Sequence, residues 1–190
     1  MVTIVSGLPR SGTSLMMQML GAGGLPVLSD GLRAADEDNP RGYYEWEKAK
    51  RLLQDPEVIA EAEGKAVKVI STLLFSLPAN RNYRVIFMLR DLAEVVRSQG
   101  VMIRRLGSAG PALAEESMAA ALRAHVAQVS AWLDRQPNFT LLLIKYGDLL
   151  RDPDGAAEAV CQFVGVSLDT RAMALQVDIS LHRQRAGHMV

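Results

Sequence analysis

Residues 2–15, Val-Thr-Ile-Val-Ser-Gly-Leu-Pro-Arg-Ser-Gly-Thr-Ser-Leu, hold the densest grouping of chemically capable residues in the chain. Gly7 and Gly12 frame a GxxxxG spacing. The amides from Arg10 to Ser14 can turn inward around an anion there, backed by the partial positive charge of a helix N-terminus. Thr13 stands where a nucleoside-triphosphate loop of the form GxxxxGK[ST] carries its lysine, and the cation, Arg10, lies in mid-loop. Without that lysine the β- and γ-phosphates lose their reaching partner, so triphosphate hydrolysis is disfavoured while anion binding is kept. An ordinary β–α turn accounts for GxxxxG by itself. Pro9-Arg10-Ser11-Gly12-Thr13-Ser14 behind a buried strand favours a ligand site.

Further groups of the same kind lie along the chain. Lys68 interrupts the apolar run Ala66 to Ile70, where a cation is costly unless it faces an anion or solvent. Arg90 closes the apolar run Tyr83 to Leu89, and Tyr146 follows the run Phe139 to Ile144. Tyr43-Tyr44-Glu45-Trp46-Glu47 sets three aromatics around a carboxylate; the rings either anchor a loop or line a substrate mouth.

These residues need a frame that gathers them. The 2–7 run reads as a strand and the apolar run from Leu15 to Leu20 as a helix. Pro26 to Leu28 is a short extended piece, and residues 29–47 form a polar and aromatic loop. Residues 47–62 read as a surface-lying helix broken at Asp55-Pro56. Strands follow at 66–70, 83–89 and 139–144, with helices from Asp91 (a capping box with Glu94), from about Ala112 to Arg135, and from Asp154 to Val164. Gly107 to Pro111 break the long helical stretch, and His125 falls on a core-facing stripe as a satisfied core histidine. Strands separated by helices predict an α/β fold: three layers, a mainly parallel central sheet and flanking helices. Ligands of such sheets gather at the carboxyl ends of the strands, where Arg10, Lys68, Arg90 and Tyr146 all fall.

At 190 residues the chain is expected to be one domain, 1–190, with 178–190 as a mobile tail. Its single cysteine, Cys161, sits among apolar neighbours and reads as a buried thiol, which fits a reducing cytoplasm. No basic leader precedes the first apolar run and no stretch reaches the roughly 20 residues of a membrane span, so a soluble, untargeted protein is expected. Twenty-one basic and 21 acidic residues cancel, which gives no ground for a nucleic-acid partner.

Taken together, the motifs resemble the sulfotransferase family that uses 3'-phosphoadenosine 5'-phosphosulfate (PAPS), a family with a phosphate-loop fold. Pro9-Arg10-Ser11-Gly12-Thr13-Ser14 is similar to the family's loop around the donor's 5'-phosphate and sulfate. Arg90 and Ser98, eight residues on, resemble the pair that holds the donor's 3'-phosphate. Tyr146-Gly147-Asp148-Leu149, and the later Phe163-Val164-Gly165, are similar to the family's Tyr-Glu-Asp-Leu and Phe-Leu-Gly segments, where the tyrosine lies near the adenine.

The resemblance implies transfer of a sulfuryl group to a hydroxyl or amine of a small-molecule or peptide acceptor, with PAP as product and no metal. Arg10 and the amides of residues 11–14 would stabilise the leaving phosphate. Lys68 matches a strand lysine that approaches the sulfate in some members, but the histidine base found two positions later is Ile70 here. Other branches use a carboxylate after the first helix, which leaves Asp30, slightly preferred, and Glu45 as candidate bases. At the C-terminus, Arg183 or Arg185 either reaches the 3'-phosphate or belongs to a frayed tail, and a second copy could supply a lid. The rivals are a nucleotide-binding module without turnover and a phosphotransferase.

Overall fold

The first strand, β1 (Val2–Gly7), is buried along its whole length, which suits only an inner strand covered on both faces. The computed structural model describes residues 1–36, 39–105 and 115–181. In it β1 lies at the centre of a five-stranded sheet with β2 (Val27–Leu28), β3 (Ala66–Lys68), β4 (Tyr83–Leu89) and β5 (Phe139–Lys145). The order is β2-β3-β1-β4-β5 and every pairing is parallel. The register pairs Gly7 with Met88 and Leu89 with Lys145, so the carboxyl ends of β1, β4 and β5 finish along one edge.

Alternation along the strands feeds two cores. Val2 and Ile4 of β1, with Tyr83, Val85 and Phe87 of β4, enter a cluster closed by Val129 and Leu133 of α3 (Glu115–Leu133). Val5, Ile86 and Met88 face the other way. They pack against Met16, Met17, Met19 and Leu20 of α1 (Thr13–Ala22) and against α5 (Pro153–Val164), which contributes Ala157, Val160 and Val164. Each such fully buried side chain contributes roughly 1.5–3 kcal/mol against its exposed state. The three-layer α/β architecture read from the sequence is the one observed.

Asp91 caps α2 (Leu92–Arg105) as expected, its Oδ1 accepting from the Glu94 amide at 3.1 Å, while the Glu94 carboxylate accepts from Arg90. Tyr146 does not simply turn out of β5. It begins a short helix, α4 (Tyr146–Arg151), ahead of α5, which Asp152 caps by accepting from Gly155 N. A last short helix, α6 (Thr170–Ala174), packs on α1 and α5. The strand expected at 66–70 stops at Lys68, and Ile70 precedes a 3-10 helix over Ser71–Ser76.

The surface-lying, interrupted helical segment expected at 47–62 is observed, and one other expectation needs correction. Residues 47–62 form two 3-10 helices, Glu47–Arg51 and Pro56–Ala62, mostly exposed but with one face turned inward. Ala49, Leu52, Ile59 and Ala62 complete the first core, because the short β2 and β3 leave that face otherwise uncovered. Cys161 is half-buried rather than buried, its thiol turned toward the Val166 carbonyl at 3.5 Å. His125 is half-buried on α3 with Nε2 2.8 Å from the Ser71 hydroxyl, a partnered ring as expected. The Gly107–Pro111 break falls outside the described residues. No helix among the described residues is long and apolar enough to cross a membrane.

Candidate active site

At the carboxyl edge of the sheet a cleft of about 390 Å³ opens over the turn between β1 and α1. Gly12 takes φ 97 and precedes α1, whose first turn has no side-chain cap and no acidic residue. A helix start of this kind leaves amides to be satisfied from outside, and Gly12, Thr13, Ser14 and Leu15 line the cleft. The Ser11 amide is spent on the Leu8 carbonyl at 3.2 Å. Its hydroxyl is buried without a hydrogen-bond partner, tucked beneath Gly7, where an added Cβ would lie 2.5 Å from it. Ser11 therefore shapes the turn from behind rather than facing the cleft.

The glycine at 12 has a steric cause besides its positive φ. A Cβ there would sit 2.5 Å from Cδ2 of Tyr146, whose ring closes over the loop from the start of α4. Burial raises the Tyr146 pKa, so the phenol stays protonated at neutral pH.

Arginines fix the other wall. Arg90 leaves the end of β4 with its guanidinium 4.6 Å from the Tyr146 ring centroid, Nε donating to Glu94 Oε2 at 2.8 Å and Nη1 to the Arg10 carbonyl at 3.0 Å. Arg90 and Glu94 side chains are only 10% and 9% exposed, so this i,i+4 pair lies where attraction is weakly screened. Arg10 adopts φ 71, unusual for a residue with a Cβ, and its Nε donates to Ser98 Oγ at 2.9 Å. The loop, the end of β4 and the second turn of α2 are thus knitted into one basic surface.

At the opposite end, Lys68 Nζ donates to the Tyr43 carbonyl at 2.8 Å and to Ser14 Oγ at 3.2 Å. Burial pulls its pKa down to about 8, with the Glu45 carboxylate opposing the shift. Glu45 lines the same cleft and accepts from Arg33 Nη1 at 2.8 Å, while the Arg33 guanidinium lies 3.4 Å from the Tyr43 ring centroid. The aromatic patch divides between anchoring the loop and lining the cleft. Trp46 is buried in the first core, Tyr44 packs on the second, and Tyr43 lines the cleft with its hydroxyl donating to Asp36 at 2.7 Å.

Arg10, Gly12, Thr13, Ser14, Lys68, Glu45, Arg90, Ser98 and Tyr146 therefore meet in one cleft, as the sequence positions suggested. Asp30 does not line it. Its exposed carboxylate accepts from the Glu47 amide at 2.5 Å and the Leu32 amide at 3.1 Å, and these bonds hold its pKa below the usual carboxylate range. A carboxylate occupied in this way caps a turn, so the slight preference for Asp30 over Glu45 is reversed. Arg183 and Arg185 fall outside the described residues.

Several cleft residues were not singled out beforehand. Arg41 donates to the Gln176 carbonyl at 2.6 Å and pairs with Asp178 at 3.2 Å, strapping the 29–47 loop to the chain after α6. Nothing in the sequence relates positions so far apart. Gln18 did leave a signal: it is a polar residue in the apolar run of α1, one turn beyond Ser14, and it is buried at the cleft.

A family model described as the sulfotransferase domain matches residues 2–185. The chain belongs to the sulfotransferase domain family. Membership carries sulfuryl transfer as the general activity of this sulfotransferase-family chain. No curated protein matches it in sequence. Among solved structures it is similar to the sulfotransferase domain from the curacin biosynthetic pathway, at 17% identity and a TM-score of 0.52, over 87% of this chain and 74% of that one. It is similar to retinol dehydratase, solved with androsterone and the inactive cofactor PAP, at 16% identity and a TM-score of 0.51, over 92% of this chain and 62% of that one. A sulfotransferase from Alicyclobacillus acidocaldarius aligns at 14% identity and a TM-score of 0.51, over 96% of both chains. At such identities these likenesses establish the shared sulfotransferase fold.

Proposed function

We propose that this sulfotransferase-family chain acts as a single domain that moves a sulfuryl group from PAPS to a hydroxyl or amine acceptor. The observation that carries the reading is the convergence of Arg10, Lys68 and Arg90 on one cleft with the uncapped start of α1. The cleft fits a nucleotide bearing two separated anionic groups. The first amides of α1, which line the cleft from Gly12 to Leu15, suit the 5' end, and Arg90 with Ser98 suits the 3'-phosphate. Bound there, the donor supplies an activated sulfuryl group on a phosphate leaving group. The PAP in the retinol dehydratase structure supports this donor class for a protein of the same fold.

The residues of the chain would divide the work as follows. Arg10 and the amides of Gly12 to Ser14 balance negative charge gathering on the leaving phosphate, a contribution available because they are positioned before reaction. Lys68, at hydrogen-bond distance from Ser14, places a cation on the acceptor side of the loop. Glu45 takes the acceptor proton on a carboxylate oxygen, replacing the base that Ile70 cannot provide. Arg33, bonded to Glu45, holds that carboxylate over the cleft.

Calorimetry with PAP against ADP and GDP tests the donor. PAP should bind at least tenfold more tightly than either, since only it offers both anionic groups to Arg10 and Arg90. Equal affinities would overturn the donor reading, and binding of PAP without turnover on any acceptor would reduce the chain to a nucleotide-binding module.

A further inference from the structure

Beside Arg90 lies a second cavity of about 580 Å³ between the start of α2, the middle of α3 and the ends of β4 and β5. Its floor and walls are apolar: Leu8, Met88, Leu89, Leu92, Val126 and Ala127. Leu143, on the same face of β5 and two residues before Lys145, is 49% exposed, so α3 leaves this corner of the sheet uncovered.

The charged groups at the cavity are unevenly committed. Asp91 caps α2, Glu94 holds Arg90, and Asp148 pairs with Arg151. Arg123 and Lys145, both exposed, have no hydrogen-bond or ion-pair partner among the described residues. Each acid is therefore neutralised or satisfied by its own neighbour, and two cations stand over an apolar hollow. We propose that this cavity is a second binding site, separate from the nucleotide cleft, for a small amphiphilic anion with a hydrocarbon body and a carboxylate head. The volume lies within the range of small-molecule sites. Burying a chain of methylenes against this floor supplies the affinity, and Arg123 and Lys145 select the head group. Leu8 and Arg90 line both cavities, so the two sites share a wall without sharing a floor.

The probe is decanoate, titrated by calorimetry into the wild-type chain beside decanol and decyltrimethylammonium. Decanoate should bind best, decanol more weakly and the cation not at all. Arg123→Ala and Lys145→Ala should each weaken decanoate by about tenfold, the scale of one charge-assisted contact, and leave decanol unchanged. Ala127→Phe, at an exposed position that tolerates a ring, should fill the hollow and abolish binding of both decanoate and decanol. Saturating PAP should leave decanoate bound. Equal affinity for the three head groups, indifference to Arg123→Ala and Lys145→Ala, or complete displacement by PAP would each overturn the proposal. Failure of PAP to bind leaves it standing, because the second cavity does not depend on the donor.

Discussion

Arg90 Nη1 donates to the carbonyl oxygen of Arg10 across 3.0 Å, so the cation at the end of β4 and the cation of the β1–α1 turn are joined through backbone rather than by a shared ligand. Like charges would otherwise separate. The buried Glu94 carboxylate offsets Arg90, and Ser98 accepts from Arg10, so both guanidinium groups are oriented by groups of the protein itself.

Removing Arg90 should act in two parts. Arg90→Ala is expected to weaken PAP by about 1.5–3 kcal/mol, the scale of a hydrogen bond to a charged group. A nucleotide lacking the 3'-phosphate should lose less, only what comes from freeing the Arg10 carbonyl. Calorimetry with PAP and adenosine 5'-phosphate checks this, and equal losses would contradict the 3'-phosphate assignment.

Gly12→Ala should cost stability through both its positive φ and its Cβ, which meets Tyr146 at 2.5 Å. A left-handed conformation with a Cβ costs about 1–2 kcal/mol by itself. Urea denaturation of Gly12→Ala, Tyr146→Ala and the double variant separates the parts. The double variant should be more stable than the sum of the singles predicts, by about 1 kcal/mol or more.

Lys68 gives a pH signature. Its pKa in the fold is about 8, brought down from 10.5 by burial. Between those values the unfolded chain holds the proton more tightly, so stability attributable to Lys68 rises with pH from about 8 and levels off near 10.5. Relative to Lys68→Met, the wild type should gain stability over that window in urea titrations. In turnover the sign is opposite: kcat/KM should fall as pH rises through about 8 and the charge is lost, and Lys68→Arg should carry the plateau further.

The two carboxylates near the loop should part cleanly. Glu45→Gln is expected to lower kcat by about 100-fold or more with PAP affinity retained, as loss of a general base does. Asp30→Asn should leave kcat near wild type and instead lower the melting temperature, since it weakens the cap on the Glu47 amide. Collapse of turnover in Asp30→Asn would sink the assignment.

The sheet and the β1–α1 loop were legible in the sequence because both are local. β-branched runs such as 2–7 and 83–89 declare inner strands, and Gly7 to Ser14 lie within a few residues of one another. Arg90 and Tyr146 could be placed from topology, because ligands of a parallel sheet lie beyond its carboxyl ends. That Asp30 lies outside the cleft was not legible, because its place depends on the Glu47 amide, which only the folded loop brings near. The 47–62 segment was legible as an interrupted surface helix, but not that its turns are 3-10 or that Ala49, Leu52, Ile59 and Ala62 reach the first core. Arg41 and Asp178 pair across the cleft through tertiary structure alone, which no local pattern records.

The strained turn at Arg10, with φ 71, is clamped by Arg90 at its carbonyl and by Ser98 at its side chain. Both clamps hang from β4 and α2, so the receptor cannot relax while those elements stand. Heating should accordingly extinguish anion capture and melt the domain along one common curve, with no temperature range in which an intact fold has gone slack at its receptor.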